Sequence, residues 1–149
     1  MSLPFFKSDK KPILVAHRGA SGYAPENTPA AFKLALDMGA RFIEMDVHLS
    51  KDGQVVVLHD EHLKRIAGIK KRVTDLTRDE ISKFPLKKLA HGRYPMERVP
   101  SLEEALTLIA RRAVVNVEIK GISAAAMYPG IEEKVLGLLE RRGILRSIT

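Results

Sequence analysis

The chain has 149 residues, an ordinary apolar fraction of 45% and a net charge of +7, which is enough for one domain with a core. It contains no cysteine, which excludes a disulfide framework and thiolate chemistry and suits a reducing compartment. The opening MSLPFFKSDKKPI lacks a signal peptide's apolar core, and no run approaches the roughly 20 apolar residues of a membrane span, so a soluble cytoplasmic protein is expected. In chain order, Ile13–Ala16 is a short β-compatible apolar run. Thr28-Pro29 reads as a helix start, with Thr as N-cap and Pro at the first helical position. Phe32, Ala35 and Leu36 form an apolar stripe, and Gly39 is a natural stop. Phe42–Leu49 alternates like a strand, Lys51-Asp52-Gly53-Gln54 is a turn, and Val55–Leu58 is a further strand.

Residues 61–98 break this rhythm and read as a basic insertion or lid. Between Lys64 and Arg98 there are eleven Lys or Arg against four Asp or Glu. The surplus charge is therefore local, and it favours an anionic partner or simply a solvated face. Thr77-Arg78-Asp79-Glu80 and Ser101-Leu102-Glu103-Glu104 have capping-box spacing and predict helices at Arg78–Phe84 and up to about Arg112. Ala113–Ile119 reads as a strand, Ile131–Arg142 as a helix ended by Gly143, and the residues from Ile144 as a linker into another strand. Strands alternating with helices imply βαβ units, a parallel sheet, and chemistry at the strands' carboxyl ends.

Ionisable residues gather at those ends. Period-two alternation puts Ile43, Met45 and Val47 on one face of the second strand, and Glu44, Asp46 and His48 on the other. Two carboxylates on one strand face are either solvated or compensated, and a hard divalent cation, Mg²⁺ or Ca²⁺, compensates oxygen ligands well. Asn116, Glu118 and Lys120 share a face in the same way. Glu118 would complete a three-carboxylate site, with Lys120 balancing its charge or binding a phosphate oxygen; the alternative is a plain Glu118–Lys120 pair. His17 and His59 end two strands and could divide acid and base duties near neutral pH. Asp60 could orient an imidazole or cap a turn. Arg18 could hold phosphate through its planar fork or make a surface salt bridge. Glu26 and Asn27 could serve the helix N-terminus or the site. His48 shares the face of Glu44 and Asp46 and is a candidate for supporting them or for substrate contact, while His62 and His91 sit in the insertion and read as solvated.

Six motifs occur in fixed order: His17-Arg18-Gly19, Pro25-Glu26-Asn27-Thr28, Glu44-x-Asp46-Val47, Asp52-Gly53, His59-Asp60 and Glu118-x-Lys120. Together they resemble the glycerophosphodiester phosphodiesterase family from about Ile13 to Lys120. The resemblance implies a TIM-type (β/α)₈ barrel of the α/β class, a divalent metal, and hydrolysis of glycerophosphodiesters to glycerol 3-phosphate and an alcohol. It also implies metal ligation by Glu44, Asp46 and Glu118, acid–base work by His17 and His59, and phosphate contact by Arg18 and Lys120. Asn27 and His48 join these as substrate-contact candidates, although the family often has an amide side chain at the position of His48. A whole barrel needs roughly 200–250 residues. About its first half is expected here, with residues 1–11 a tail, 12–149 a partial barrel, and 61–98 the insertion.

The expected partner is a small glycerophosphodiester, with no membrane span. Exposed half-barrel edges would invite self-association. A non-catalytic half-barrel or assembly module is a competing reading, as is phospholipase D-like action on lysophospholipids. Nucleic-acid binding is disfavoured, because the chain has no Trp and only three Tyr for base stacking.

Overall fold

Strand β2 (Phe42–Leu49) organises one four-stranded sheet. β1 (Val15–Ala16) and β4 (Val114–Ile119) both run parallel to it, while β3 (Val55–Val57) returns antiparallel along its carboxyl end through the turn at Asp52-Gly53. Helix α1 (Pro29–Asp37) links β1 to β2, α4 (Leu102–Ile109) leads into β4, and α5 (Ile131–Arg141) follows it. Between β3 and α4 lie α2 (Lys64–Ala67), a 3-10 turn at Val73–Asp75, and α3 (Arg78–Ser82). A computed structural model describes residues 13–86, 93–94, 96–109, 112–121 and 127–144. The predicted tail, His91 and the predicted run into a further strand after Ile144 lie outside them. The sheet is open, and no described helix is long and apolar enough to cross a membrane.

Local chemistry starts and stops these elements. Thr28 Oγ1 accepts from the Ala31 N–H at 3.2 Å, so the first turn of α1 gains a partner for one of its unbonded donors while Pro29 needs none. Thr77 and Glu80 form a reciprocal capping box on α3. Ser101 and Glu104 do the same for α4, with Ser101 N donating to Glu104 Oε2 at 2.7 Å and Glu104 N to Ser101 Oγ at 3.2 Å. β1 is shorter than its apolar run suggests: it pairs only with Phe42 and Ile43, so Ile13 and Leu14 add no rung and remain exposed.

Alternation along β2 divides the molecule. Ile43, Met45 and Val47 are buried against Phe32, Leu102 and Ile131 from the three long helices. The opposite face carries Glu44, Asp46 and His48, and these are buried too. Burial on both faces marks β2 as a central strand. The insertion holds its own apolar cluster: Leu63, Ile66, Val73 and Ile81 close over Val56 and Leu58 of the β3 segment. Its apolar residues are scattered singly among charges. They make no run in sequence yet converge in space, so the segment is a folded cap on β3 with a basic exterior.

Gly19 fixes the turn after β1. Its φ of +78° lies in the left-handed region, and a Cβ there would stand 2.7 Å from the Ala31 carbonyl carbon. The neighbouring Ala20 N–H donates to Ala31 O at 3.0 Å, which ties the turn to α1. Gly19→Ala is expected to destabilise the protein by about 2 kcal/mol through strain and overpacking together, read as a lowered urea midpoint. An unchanged midpoint would show that the turn can shift away from α1.

Candidate active site

Strand register assembles the site. Ala16 is level with Ile43, so His17, one residue on, falls beside Glu44. Asp46 pairs directly with Glu118 across the β2–β4 ladder. Ligand oxygens of Glu44, Asp46 and Glu118 lie within 4.8 Å of one another at the carboxyl end of the parallel strands. Lys120, just past β4, places Nζ 2.9 Å from Asp46 Oδ1 and donates to Glu118. Arg18 Nε stands 3.1 Å from Asp46 Oδ2. Three carboxylates against these two cations leave a net negative charge, the sign that suits a divalent cation.

The main chain is bent to build this cluster. Arg18 and Asn27 both have positive φ, 58° and 57°. Asn tolerates this conformation, but Arg bears a strain of about 1–2 kcal/mol. The bend lets the Arg18 N–H donate to Glu44 Oε2 at 2.9 Å and the Arg18 carbonyl accept from the Asn27 N–H at 3.0 Å. The side chain of Arg18 then reaches Asp46 and donates from Nη1 to Glu26 Oε1 at 3.1 Å. Asn27 is not the helix cap, because Thr28 is. Its Nδ2 donates to Asp46 Oδ2 at 2.8 Å and its Oδ1 accepts from the Asp46 N–H at 3.4 Å, so both ends of the amide brace Asp46.

The carboxylates titrate apart. Burial, reinforced by the charges of Asp46 and Glu118, pushes the Glu44 carboxyl above the usual range despite the Arg18 N–H bond. Burial works the same way on Asp46, but bonds from Lys120 and Asn27 and the Arg18 charge outweigh it and hold its pKa down. Asp46 is 0% exposed. Among the described residues Glu44 Oε1 is buried without a hydrogen-bond partner, while Asp46 Oδ1 faces Lys120 Nζ at 2.9 Å. Buried carboxylate oxygens left without hydrogen bonds are costly. All-oxygen donors of this kind suit a hard cation, so the residues present fit the group the sequence implied.

The two candidate proton carriers are held differently. His17 has a side chain 64% exposed, with Nε2 3.9 Å from Glu44 Oε2. His59 is half-buried and its Nδ1 lies 2.8 Å from Asp60 Oδ1. A carboxylate only accepts, so Nδ1 carries a proton, and in the neutral ring the lone pair is on Nε2. Asp60 thus orients the imidazole. His48 is buried and spent within the protein: Nε2 bonds the His59 carbonyl at 3.0 Å and Nδ1 the Tyr128 hydroxyl at 2.7 Å. The carbonyl fixes Nε2–H as donor, so Nδ1 accepts from Tyr128. Burial holds the His48 pKa below its ordinary value, and the same burial pushes the Tyr128 hydroxyl up to about 12. His62 contacts Glu61 and is partly exposed in the insertion.

Sequence reasoning missed two contributors. Tyr128 locks His48 from 80 positions away, and Arg65 bonds both Glu26 and Asp60. Neither has a local signal, since Tyr128 is a lone aromatic and Arg65 one cation in a basic run. Burial tends to raise the pKa of Glu26 and of Asp60. The bonds and charge of Arg65 outweigh it, helped by Arg18 at Glu26 and by His59 at Asp60, and both carboxyls sit below their usual range. The stability they lend is complete above about pH 4–4.5 and is lost as pH falls through their lowered folded values. The urea midpoints of wild type and Arg65→Ala are therefore expected to differ by a constant amount above about pH 5 and to converge in stronger acid. A gap that persists unchanged at acid pH would contradict this.

Residues 17–147 match the Glycerophosphoryl diester phosphodiesterase family. A glycerophosphodiester phosphodiesterase of Caldanaerobacter subterraneus subsp. tengcongensis is 45% identical over 127 residues, covering 85% of this chain and 51% of that protein. The crystal structure of a glycerophosphodiester phosphodiesterase from Agrobacterium tumefaciens superposes with a TM-score of 0.79 at 37% identity, over 89% of this chain and 54% of that one. An Oleispira antarctica phosphodiesterase, solved in complex with the product sn-glycerol-3-phosphate, gives a TM-score of 0.77 at 31% identity, over 88% and 53%. The chain spans about half the length of the curated relatives it matches.

Proposed function

Because the chain belongs to the glycerophosphoryl diester phosphodiesterase family, we propose that its site hydrolyses glycerophosphodiesters to glycerol 3-phosphate and an alcohol. The observation that carries this is the convergence of Glu44, Asp46 and Glu118 beside Arg18 and Lys120, with His17 and His59 following two strands that each pair with β2. Glu44, Asp46 and Glu118 would hold a divalent cation, Mg²⁺ or Ca²⁺, whose chemistry when bound is to offset phosphate charge in the transition state. Arg18 and Lys120 bind the phosphoryl oxygens and stabilise the charge that builds on them. Asn27 and His48, named as substrate contacts from the sequence, have polar atoms engaged within the protein, where they support Asp46 and the His59 main chain.

His59 takes a proton at Nε2, with Asp60 stabilising the imidazolium that forms, and His17 protonates the leaving alkoxide; the reverse division is the alternative assignment. The family resemblance favours the neighbouring glycerol hydroxyl as the nucleophile, giving a cyclic phosphate that water then opens. Its O–H proton goes to the base, its oxygen bonds phosphorus, and the alcohol departs with the proton from the acid. Rapid quench of a single turnover is expected to trap cyclic glycerol phosphate. Direct formation of glycerol 3-phosphate with solvent ¹⁸O and no cyclic species would place water as the nucleophile.

The outer strands β1 and β4 each pair with β2 alone among the described residues, and Leu14 and Val15 are exposed. These edges are open to further strands, whether from a longer chain or from a second copy of this one. Sedimentation of the 149-residue chain separates the two, since only the second predicts a dimer. Assays of small glycerophosphodiesters against lysophospholipids decide between the phosphodiesterase reading and a phospholipase D-like one.

A further inference from the structure

Among the described residues, the insertion meets Asp60 and Glu26 through the guanidinium of Arg65. Arg65, on α2, donates from Nε to Asp60 Oδ2 at 2.6 Å and from Nη2 to Asp60 Oδ1 at 3.1 Å. It also donates from Nη1 to Glu26 Oε2 at 3.1 Å and from Nη2 to Glu26 Oε1 at 2.7 Å. Each carboxylate that it grips holds one functional side chain. Asp60 Oδ1 takes His59 Nδ1 at 2.8 Å, and Glu26 Oε1 takes Arg18 Nη1 at 3.1 Å. The proton carrier after β3 and the phosphate-facing arginine after β1 are thus referred to one side chain in the insertion.

We propose that Arg65 is a positioning residue: it fixes the Asp60 carboxylate as the acceptor for His59 Nδ1–H, so that His59 presents the lone pair of Nε2, and it fixes Glu26 so that Arg18 stays on the phosphate side of Asp46. This rests on the reading of His59 as a proton carrier. The task requires arginine. Two carboxylates are held by four bonds from one rigid planar fork, a geometry that a lysine ammonium, a point charge on a flexible stem, does not supply. Stability alone does not explain the arrangement, because Arg65 is 42% exposed on its side chain and exposed pairs contribute little. Holding the Asp60 carboxylate in one rotamer matters more, because a neutral imidazole has one N–H and the partner of Nδ1 decides which nitrogen carries it. His59 is also held from behind, where His48 bonds its carbonyl. Ring and main chain are therefore fixed by different parts of the chain, and Arg65 governs only the ring.

The test is ¹⁵N NMR of the neutral His59 ring at alkaline pH in wild type, Arg65→Lys and Arg65→Ala. Wild type is expected to show the Nδ1–H tautomer alone. Both variants are expected to show a mixture with Nε2–H, with Arg65→Lys unfolding close to the wild-type urea midpoint. In glycerophosphodiester hydrolysis Arg65→Lys is expected to lower kcat by about tenfold to a hundredfold with divalent-cation affinity unchanged. A pure Nδ1–H tautomer in Arg65→Lys would overturn the proposal, and so would failure of both variants to fold, which would make Arg65 a structural brace. Failure of the functional reading shows separately: His59→Ala would then hydrolyse substrate at the wild-type rate whatever the tautomer result.

Discussion

Asp46→Ala is expected to lower stability by roughly 3 kcal/mol and to abolish divalent-cation binding. Asp46 is wholly buried and is the hub of the site, meeting Arg18 Nε at 3.1 Å, Lys120 Nζ at 2.9 Å and Asn27 Nδ2 at 2.8 Å. Removing the anion leaves Lys120 with Glu118 and Arg18 with Glu26 but takes the shared partner from both, and breaking a buried pair from one side costs about 3–5 kcal/mol. The lower end applies because both cations are partly exposed and regain some solvation. The strained φ of Arg18 also loses a contact that offsets it. Asp46→Asn keeps the shape and discards the charge, so it separates the two effects: less of the stability loss, all of the loss of cation binding. Urea titration and calorimetry with Mg²⁺ or Ca²⁺ read the two arms. Wild-type cation affinity in Asp46→Asn would remove Asp46 from the ligand set.

The second large effect is on turnover. His17→Ala and His59→Ala are each expected to lower glycerophosphodiester hydrolysis by about 10²–10⁴-fold, the usual worth of a general acid or base. Cation binding should survive in both. His17 is mostly exposed and makes one long contact with Glu44, so its loss should move stability by less than about 0.5 kcal/mol. His59→Ala frees Asp60, which Arg65 still holds. Wild-type turnover in either variant would take that histidine out of the acid–base assignment.

Local chemistry was legible in the sequence. Thr28-Pro29 announces α1, the two capping boxes announce α3 and α4, and the alternation of Phe42–Leu49 by itself separates an apolar face from an ionisable one. The three-carboxylate group was legible for the same reason, because period two assigns Glu44, Asp46 and Glu118 to faces and parallel register does the rest. Contacts between elements were not legible. Asn27 read as a cap or a site residue because nothing local shows that both ends of its amide turn to Asp46. Residues 61–98 read as an insertion or lid with few long apolar runs, and their own apolar cluster is not legible because its residues are spaced singly. Arg65 and Tyr128 act across 39 and 80 positions, beyond the reach of any periodicity.

In the proposed function Glu44, Asp46 and Glu118 hold a divalent cation, and the loaded site captures a phosphoester. The most direct test is calorimetric binding of sn-glycerol 3-phosphate to this chain, with and without saturating Mg²⁺ or Ca²⁺, in wild type and in Glu44→Gln. Binding that requires the cation is expected in wild type, and none in Glu44→Gln. Phosphoester binding of equal strength without a cation, or undiminished in Glu44→Gln, would contradict this.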